Sequence, residues 1–147
     1  MPDYYKKSEI ETAILSALSP LFVKNGGYLL ELDVYRGELS TAGVFKESIR
    51  TPSVFLAYSG STYGIGTYLY ADETITYNLV VFCRTGATPD AYTLLEDIRD
   101  KLCGSSMGLD IKPLRLLREY SVGVTKEFTT LSAVYSVTQK VYMALQA

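Results

Sequence analysis

The glycine-rich stretch at residues 60–66, GSTYGIG, is the first place where this sequence could do chemistry. Glycine loops bind phosphate when they lead into the N-terminus of a helix, whose free backbone N–H groups face the anion. The spacing fits neither G-x-x-x-x-G-K-[ST] nor G-x-G-x-x-G, and no lysine follows to neutralise phosphate charge. The next residues, Thr67-Tyr-Leu-Tyr70, are typical of a strand. The pattern therefore argues against a nucleotide site.

Other candidate catalytic groups are sparse. The chain has no histidine, which removes the commonest general base and metal ligand, together with every Ser-His or Cys-His nucleophile. Tyr58-Ser-Gly-Ser61 lacks the G-x-S-x-G spacing of a nucleophile elbow and is interpreted as a turn. Glu31 and Asp33 share one face of a predicted strand, but without a third ligand nearby the pattern favours a solvated face. We therefore predict no catalytic residue, no metal and no cofactor.

The charges do not indicate a nucleic-acid or membrane surface. Fourteen basic and sixteen acidic residues give a net charge of −2, which leaves no electrostatic footprint for DNA or anionic lipid. Arg115 and Arg118 are three positions apart, so strict alternation would put them on opposite faces of a strand. No apolar run approaches the roughly 20 residues of a membrane span, and the N-terminus lacks a signal peptide's apolar region. We expect a protein made in a cytoplasm, with no membrane partner.

Size and composition predict a single domain over residues 1–147. A chain of 147 residues with 48% hydrophobic and 20% charged residues can bury a substantial core. The two cysteines, Cys83 and Cys103, are too few and too far apart for a zinc motif. Both are interpreted as small buried hydrophobic residues.

Two amphipathic helices are predicted. The first has the S-x-x-E spacing of a capping box from Ser8, and Pro20 marks a bend or an early end. The second has Thr88 as N-cap and Pro89 at its first helical position, and ends at Gly104. Their apolar stripes are Ile10, Ile14, Leu15, Leu18, Leu21 and Phe22 in the first helix, and Ala91, Leu94, Leu95, Ile98 and Leu102 in the second.

The strand pattern completes the predicted fold. Residues 38–49 are ambiguous, with a short helix as one interpretation, and the last strand is so long that it should project beyond the domain or pair with a neighbour. The element order predicts an α+β fold, a single twisted, mostly antiparallel β-sheet with two main helices packed on one face. Alternation and β-branched or aromatic enrichment place the strands at residues 28–35, 53–59, 73–83, 114–120 and 128–144.

The connection at residues 60–72 is longer than a hairpin needs and is rich in tyrosine. Tyrosine is favoured where one end of a side chain is buried and the other stays wet. Two interpretations stay open, a mobile surface loop or an arm that becomes ordered against a partner. For the second, the candidate contact residues are Tyr63, Tyr68 and Tyr70 in the arm, and Val141, Tyr142 and Met143 in the last strand.

Five segments combine hydrophobic patterns with a few proline and glycine anchors: EIETAIL at residues 9–15, TPSVFLAYSG at 51–60, the strand at 75–82, AYTLLEDIRDKLCG at 91–104 and LDIKPL at 109–114. In these segments the sequence resembles the tail-terminator family of Mu-like contractile-tailed phages and prophages. The resemblance covers most of the chain in the same order.

The resemblance implies a structural virion protein rather than an enzyme. Such a protein forms a ring, of six copies in the implied arrangement, on the head-proximal end of the tail tube. It ends polymerisation of tube and sheath and offers the surface to which the head–tail connector docks. The implied partners are other copies of the chain, the tube and sheath proteins and the connector, while DNA passes through without sequence-specific contacts. The implied location is the virion tail, assembled in the host bacterial cytoplasm, and the six candidate residues would be subunit or tube contacts.

Two other functions remain open. Another ring-forming neck or tube-associated phage protein could share the fold and differ only in which surface binds which partner. A small enzyme or ligand-binding α+β domain would need a well-formed pocket with convergent polar groups.

Overall fold

The computed structural model describes residues 4–35, 50–64 and 70–142. Within these ranges the chain forms two α-helices and five strands, which confirms the predicted α+β fold. The ambiguous segment at residues 38–49 lies outside the described residues. In chain order the elements are α1 (Lys7–Leu18), β1 (Glu31–Val34), β2 (Ser53–Gly64), β3 (Tyr70–Arg84), α2 (Ala91–Leu102), β4 (Arg115–Val124) and β5 (Phe128–Tyr142).

The strands make one sheet in the order β1-β2-β3-β5-β4. β1 runs parallel to β2 and all other neighbours are antiparallel, so the mostly antiparallel sheet is confirmed. The long last strand pairs inside the chain, with a register that runs from Phe128 opposite Arg84 to Tyr142 opposite Tyr70. β5 lies between β3 and β4, and its residues 130–137 are all buried, so its side chains are covered on both faces of the sheet.

Both helices pack on one face of the sheet, called here the helix face. α1 buries Ile10, Ile14 and Leu18, which recur every four residues. α2 buries all five residues of its predicted stripe. Burial of this apolar surface is the main stabilising contribution to the fold. Beneath the helices the sheet contributes Val54, Leu56, Ile75, Tyr77, Leu79, Val81, Leu131, Ala133, Tyr135 and Val137.

The opposite face carries a smaller aromatic cluster. Phe55, Val80 and Phe82 are buried there, and Tyr35 packs against them. The rings of Phe55 and Phe82 meet edge to face with centroids 5.5 Å apart, an arrangement that aromatic pairs favour. The two faces of the sheet therefore differ in how much apolar surface they bury.

Both helix starts differ from the prediction by two residues, and Pro89 precedes α2 instead of opening it. Lys6 is the N-cap of α1, and its backbone N–H donates to the Glu9 carboxylate at 3.3 Å. The predicted cap residue Ser8 already lies inside the helix. In α2 the N-cap is Asp90, whose carboxylate accepts the Thr93 backbone N–H at 2.8 Å. Asp90 fills the cap position that the sequence pattern gave to the threonine two residues earlier, because a carboxylate is an equally good cap acceptor.

The two cysteines have different environments. Cys83 is buried, as predicted, and desolvation raises the pKa of its thiol to about 11. Cys103 is exposed, so the prediction that it is buried was wrong. It is the first residue after α2 and its backbone is already extended, with φ −65° and ψ 124°. Its side chain therefore leaves the apolar stripe of the helix.

The connection predicted at residues 60–72 is mostly strand. β2 and β3 stay paired as far as Gly64 opposite Asp72, and only residues 65–69, outside the described residues, complete the connection. β5 continues beside β3 over the same length. Residues 60–64, 70–76 and 137–142 thus form a three-stranded extension, called here the arm. The arm extends past the pairing of β1, which stops at Leu56, and past that of β4, which stops at Ser136.

β4 contains two bulges, and they correct a prediction. Arg115 lies opposite Ser136 and Arg118 lies opposite Val134, with Leu117 skipped in the register. Ser136 and Val134 are two residues apart on β5, so both arginines lie on the same face of the sheet. The prediction of opposite faces was wrong because the extra residue of a bulge breaks the period-2 rule. The shared face is the one opposite the helices.

A candidate assembly surface on the arm

A buried carboxylate organises the base of the arm. Glu73, on β3, is only 3% exposed and lies on the helix face. Its Oε2 atom accepts hydrogen bonds from Lys7 Nζ and Tyr63 OH, each at 3.0 Å. Its Oε1 atom accepts one from Gln139 Nε2 at 3.1 Å. Three donors from three different elements therefore satisfy one carboxylate.

The same cluster fixes the N-terminal segment to the arm. The Gln139 side chain donates from Nε2 to the Tyr5 carbonyl at 2.9 Å and accepts the Tyr5 N–H at Oε1 at 2.8 Å. Tyr77 OH donates to the Lys7 carbonyl at 3.1 Å. α1 is thereby held against β3 and β5 at its first turn. This is a structural anchor, since every polar atom in it serves an internal contact.

The charge state of the cluster follows from these contacts. Burial alone would raise the pKa of Glu73, but the hydrogen bonds from Lys7, Gln139 and Tyr63 together hold it below its ordinary value. The hydrogen bond to Glu73 raises the pKa of Lys7, and also that of Tyr63. Glu73 therefore stays ionised at neutral pH.

Glu73→Gln is expected to lower the free energy of unfolding by about 1 kcal/mol at pH 7, because one charge-assisted acceptor is lost. The folded-state pKa of Glu73 lies below its ordinary value of 4.5, so the charge-dependent stability is complete above pH 4.5 and is lost as pH falls through the folded-state pKa. Urea unfolding should show a smaller difference in stability between the two proteins at pH 3 than at pH 7. Glu127→Gln, at an exposed turn position, is the matched control. An equal difference at both pH values would contradict this assignment.

The arm displays two exposed tyrosines beside this cluster. Tyr58 is 45% exposed and Tyr63 is 54% exposed. Tyr58 lies opposite Tyr77 and Tyr63 lies opposite Glu73, so both are on the helix face. A bulge between Tyr58 and Gly60 brings them to the same face, because five positions of strict alternation would separate them. We call this pair the tyrosine patch.

Both rings of the tyrosine patch are held in place by neighbours. The Tyr58 ring meets the Tyr77 ring edge to face with centroids 6.0 Å apart, and its hydroxyl lies 2.8 Å from Ser61 Oγ. Lys7 Nζ lies 5.9 Å from the centre of the Tyr58 ring. The Tyr63 hydroxyl is bound to Glu73. Rigid, exposed aromatic side chains of this kind are common at protein–protein contacts.

The other predicted contact residues are less accessible or lie outside the described residues. Tyr70 is half-buried at the start of β3, and its backbone lies opposite that of Tyr142. Val141 is only 6% exposed, so its side chain packs within the chain. Tyr68 and Met143 lie outside the described residues. The structure thus brings Tyr63 together with Tyr58, which the sequence interpretation did not select.

A signal for the anchor was present in the sequence. Glu73 alternates in phase with Ile75, Tyr77 and Leu79, and this phase places its carboxylate on the core side of the strand. A charge in that position requires a buried partner. The partners could not be identified, because Lys7 and Gln139 are each 66 residues away along the chain.

The structure also shows where the other motifs that were considered for chemistry lie. Glu31 and Asp33 do share a face of β1, since they lie opposite Ser53 and Phe55. In residues 4–35, 50–64 and 70–142, no group of three His, Cys, Asp or Glu side chains is arranged to hold a metal ion. The segment interpreted as a turn at residues 58–61 is a bulged part of β2, because β3 continues to pair on both sides of it.

Surface cavities lie beside the sheet in the described part of the chain. A polar cavity of about 540 Å³ lies beside the outer part of β5, and its charged lining residues are Asp72, Asp110, Lys112 and Lys140. Two carboxylates and two ammonium groups favour neither sign of ligand charge. A more apolar groove of about 350 Å³ lies between α1 and β1. None of the helices in the described part of the chain has the length and apolar character to cross a membrane.

Of the comparisons with known proteins, the one with solved structures found a similarity. No protein-family model matches the chain, and no curated protein sequence matches it. Among solved structures, the fold is similar to that of a chain in the virion of a native gene transfer agent particle, with a TM-score of 0.60 and 10% sequence identity. The match covers 94% of this chain and 100% of that chain. At this level of identity the similarity concerns the fold.

Proposed function

We propose that this chain is a structural protein of a phage-type virion, and that it acts as the tail terminator. In this role copies of the chain form a ring, with six members, on the head-proximal end of the tail tube. The ring ends polymerisation of tube and sheath, presents a docking surface to the head–tail connector, and performs no catalysis. The observation that supports this most is the fold similarity to a virion chain over almost the whole of both chains.

The surface features agree with an assembly role. The arm extends past the edge strands of the sheet and presents the tyrosine patch on a rigid base. A virion ring must make contacts with unlike partners, the neighbouring copies and the tube, so it needs several distinct surfaces. The mildly acidic chain would also let DNA pass without phosphate-binding contacts.

The test is the mass of the protein in solution, measured by light scattering over a concentration series, with and without purified tail tubes. We expect a ring whose mass is a multiple of 16.3 kDa, formed either alone or on the tubes, and seen by electron microscopy at one tube end only. A monomer that ignores tail tubes at every concentration would contradict the proposal.

A neck or tube-associated ring protein of the same fold is the second candidate. The two candidates differ in the partner that each binds. A neck protein would bind the connector and leave tube length unchanged. Tube polymerisation in the presence of the protein distinguishes the two. A fixed tube length supports the terminator, whereas continued growth with binding to connectors supports the alternative.

A further inference from the structure

β4 is an edge strand with exposed side chains on both faces of the sheet. The helices pack mainly over the other strands, with α2 on β3 and β5, and α1 beside α2 and β1. Two residues of β4, Leu117 and Val122, are skipped at its bulges. Bulges hinder pairing with a further strand, so this edge is poorly suited to edge-to-edge addition. The two faces of β4 are therefore its accessible surfaces.

The two faces of β4 carry opposite charges. Arg115 and Arg118 lie on the face opposite the helices. Glu119 is paired with Ala133, a core residue of the helix face, so its carboxylate projects on that side. All three charged side chains are exposed. One strand thus presents guanidinium groups on one face and a carboxylate on the other.

The two central charges of β4 have no partner of opposite charge within the described part of the chain, where no ion pair involves Arg118 or Glu119. The guanidinium carbon of Arg118 lies 4.5 Å from the centre of the Tyr120 ring, a cation–π contact that positions the group. Tyr120 is itself fixed, since its hydroxyl accepts a hydrogen bond from Asn78 Nδ2 at 3.1 Å. Arg118 is therefore a positioned cation that can bind a carboxylate of another molecule.

A second copy of the chain supplies such a carboxylate when it is stacked over β4 face to back. Arg118 and Glu119 are consecutive residues on opposite faces, so a copy stacked without a shift along the strand brings its Glu119 over Arg118 of the first. The same placement sets Val124, 61% exposed on the helix face, over Gly123, which has no side chain on the other face. Both contacts need one placement only, because each joins neighbouring positions of the same strand.

The thickness of the chain favours a closed arrangement of such copies. β4 is exposed on both faces, whereas β3 and β5 carry α2 on one side. Copies stacked through β4 must fan apart over the helix layer, so each copy is rotated relative to the last about a line that runs along the strands. A contact between unlike faces, repeated with a constant rotation, closes into a ring when the angle allows.

We propose that the ring is built by stacking β4 face to back, with Glu119 of one copy bound to Arg118 of the next and Val124 packed on Gly123. The inference rests on the proposed ring function and names the contact between copies. The arm continues along the strand direction past the end of β4, so all copies project it from the same end of the ring. The tyrosine patch would then lie at that end, where it can meet the tail tube.

Charge reversal tests the pairing. Arg118→Glu alone brings two carboxylates together between copies, and Glu119→Arg alone brings two guanidinium groups together, so each variant should assemble at least tenfold more weakly than wild type. An equal mixture of the two variants should assemble almost as well as wild type. Copies that alternate around a ring of six restore every pair of opposite charges. Light scattering, with and without purified tail tubes, measures assembly.

Lys24→Glu is the matched control for these variants. Lys24 is exposed in the turn after α1, and its reversal changes the net charge by the same amount as Arg118→Glu. It should assemble like wild type. If wild type assembles and the mixture stays as weak as either variant alone, the pairing is wrong and the terminator function stands. If wild type assembles neither alone nor on tubes, the proposed function is wrong and the contact with it.

Val124→Asp tests the apolar part of the contact. Val124 is exposed in the single chain, so folding should be unchanged, as urea unfolding measures. Covering an unpaired carboxylate over Gly123 is unfavourable, so assembly should weaken at least tenfold. Val23→Asp, at a valine that is 44% exposed in the turn after α1, should assemble as wild type does. Assembly of the Val124→Asp variant at wild-type strength would contradict the assigned stacking.

Discussion

Gly27→Ala is expected to lower the free energy of unfolding by about 3 kcal/mol or more. The chain turns so tightly after α1 that a Cβ atom at Gly27 would overlap the backbone carbonyl of Leu21. The neighbouring N–H groups of Tyr28 and Leu29 both donate to that carbonyl, at 2.9 and 2.8 Å. Relief of the overlap must therefore move the backbone and break the bonds that lead the chain into β1.

Gly64→Ala is the matched control for this prediction. A Cβ atom there would make only ordinary contact with Asp72, 3.7 Å from its Cβ atom, and the residue lies in a strand. Alanine should be tolerated, or slightly favoured, since glycine is unfavourable within a strand. Urea unfolding of both variants and wild type measures the difference. Equal stability of the two variants would show that the turn relaxes at little cost.

Replacing Tyr58 and Tyr63 together by serine is expected to weaken capping of tail tubes at least tenfold. Exposed aromatic residues at the centre of a contact each contribute about 2 kcal/mol or more, and 1.4 kcal/mol is tenfold in affinity. The variant should stay folded, although the lost edge-to-face contact of Tyr58 with Tyr77 costs about 1 kcal/mol. Sedimentation of the protein with purified tubes measures the affinity.

Two further variants separate the contributions of rings and hydroxyls. Phenylalanine at both positions keeps the rings and removes the hydrogen bonds to Ser61 and Glu73. It should bind tubes far better than the serine variant. Tyr92→Ser, at an exposed position on α2, should bind like wild type. Serine variants that cap tubes as wild type does would remove the tyrosine patch from the assembly surface.

Sequence patterns located the elements well where one face of each is buried. Apolar side chains must be removed from water, and this requirement produces the apolar stripes of both helices and the apolar residues of β2 and β3. The sequence interpretation failed where a local irregularity shifts the phase. Single extra residues at Leu117 and between Tyr58 and Gly60 change which side chains share a face, and no composition signal marks them.

The arm is a second place where the sequence interpretation failed. Residues 60–64 were interpreted as part of a connection because their glycines and serine interrupt a strand pattern. β3 nevertheless holds them in register, because β5 supplies its other neighbour over the same length. In the arm, the paired residues of β3 and β5 are 60 to 72 positions apart along the chain, and this long-range pairing overrides local preference.

The sequence by itself determined the α+β class, the packing of two helices on one face of the sheet, and the lack of histidine, the commonest general base. These features depend only on residue type and periodicity. Only the tertiary structure decided what surrounds Glu73, that Tyr58 and Tyr63 share a face, and which face carries Arg115 with Arg118. Those features depend on strand order and register, which are set by contacts between residues far apart in the chain, and such contacts leave no periodic trace in any one segment.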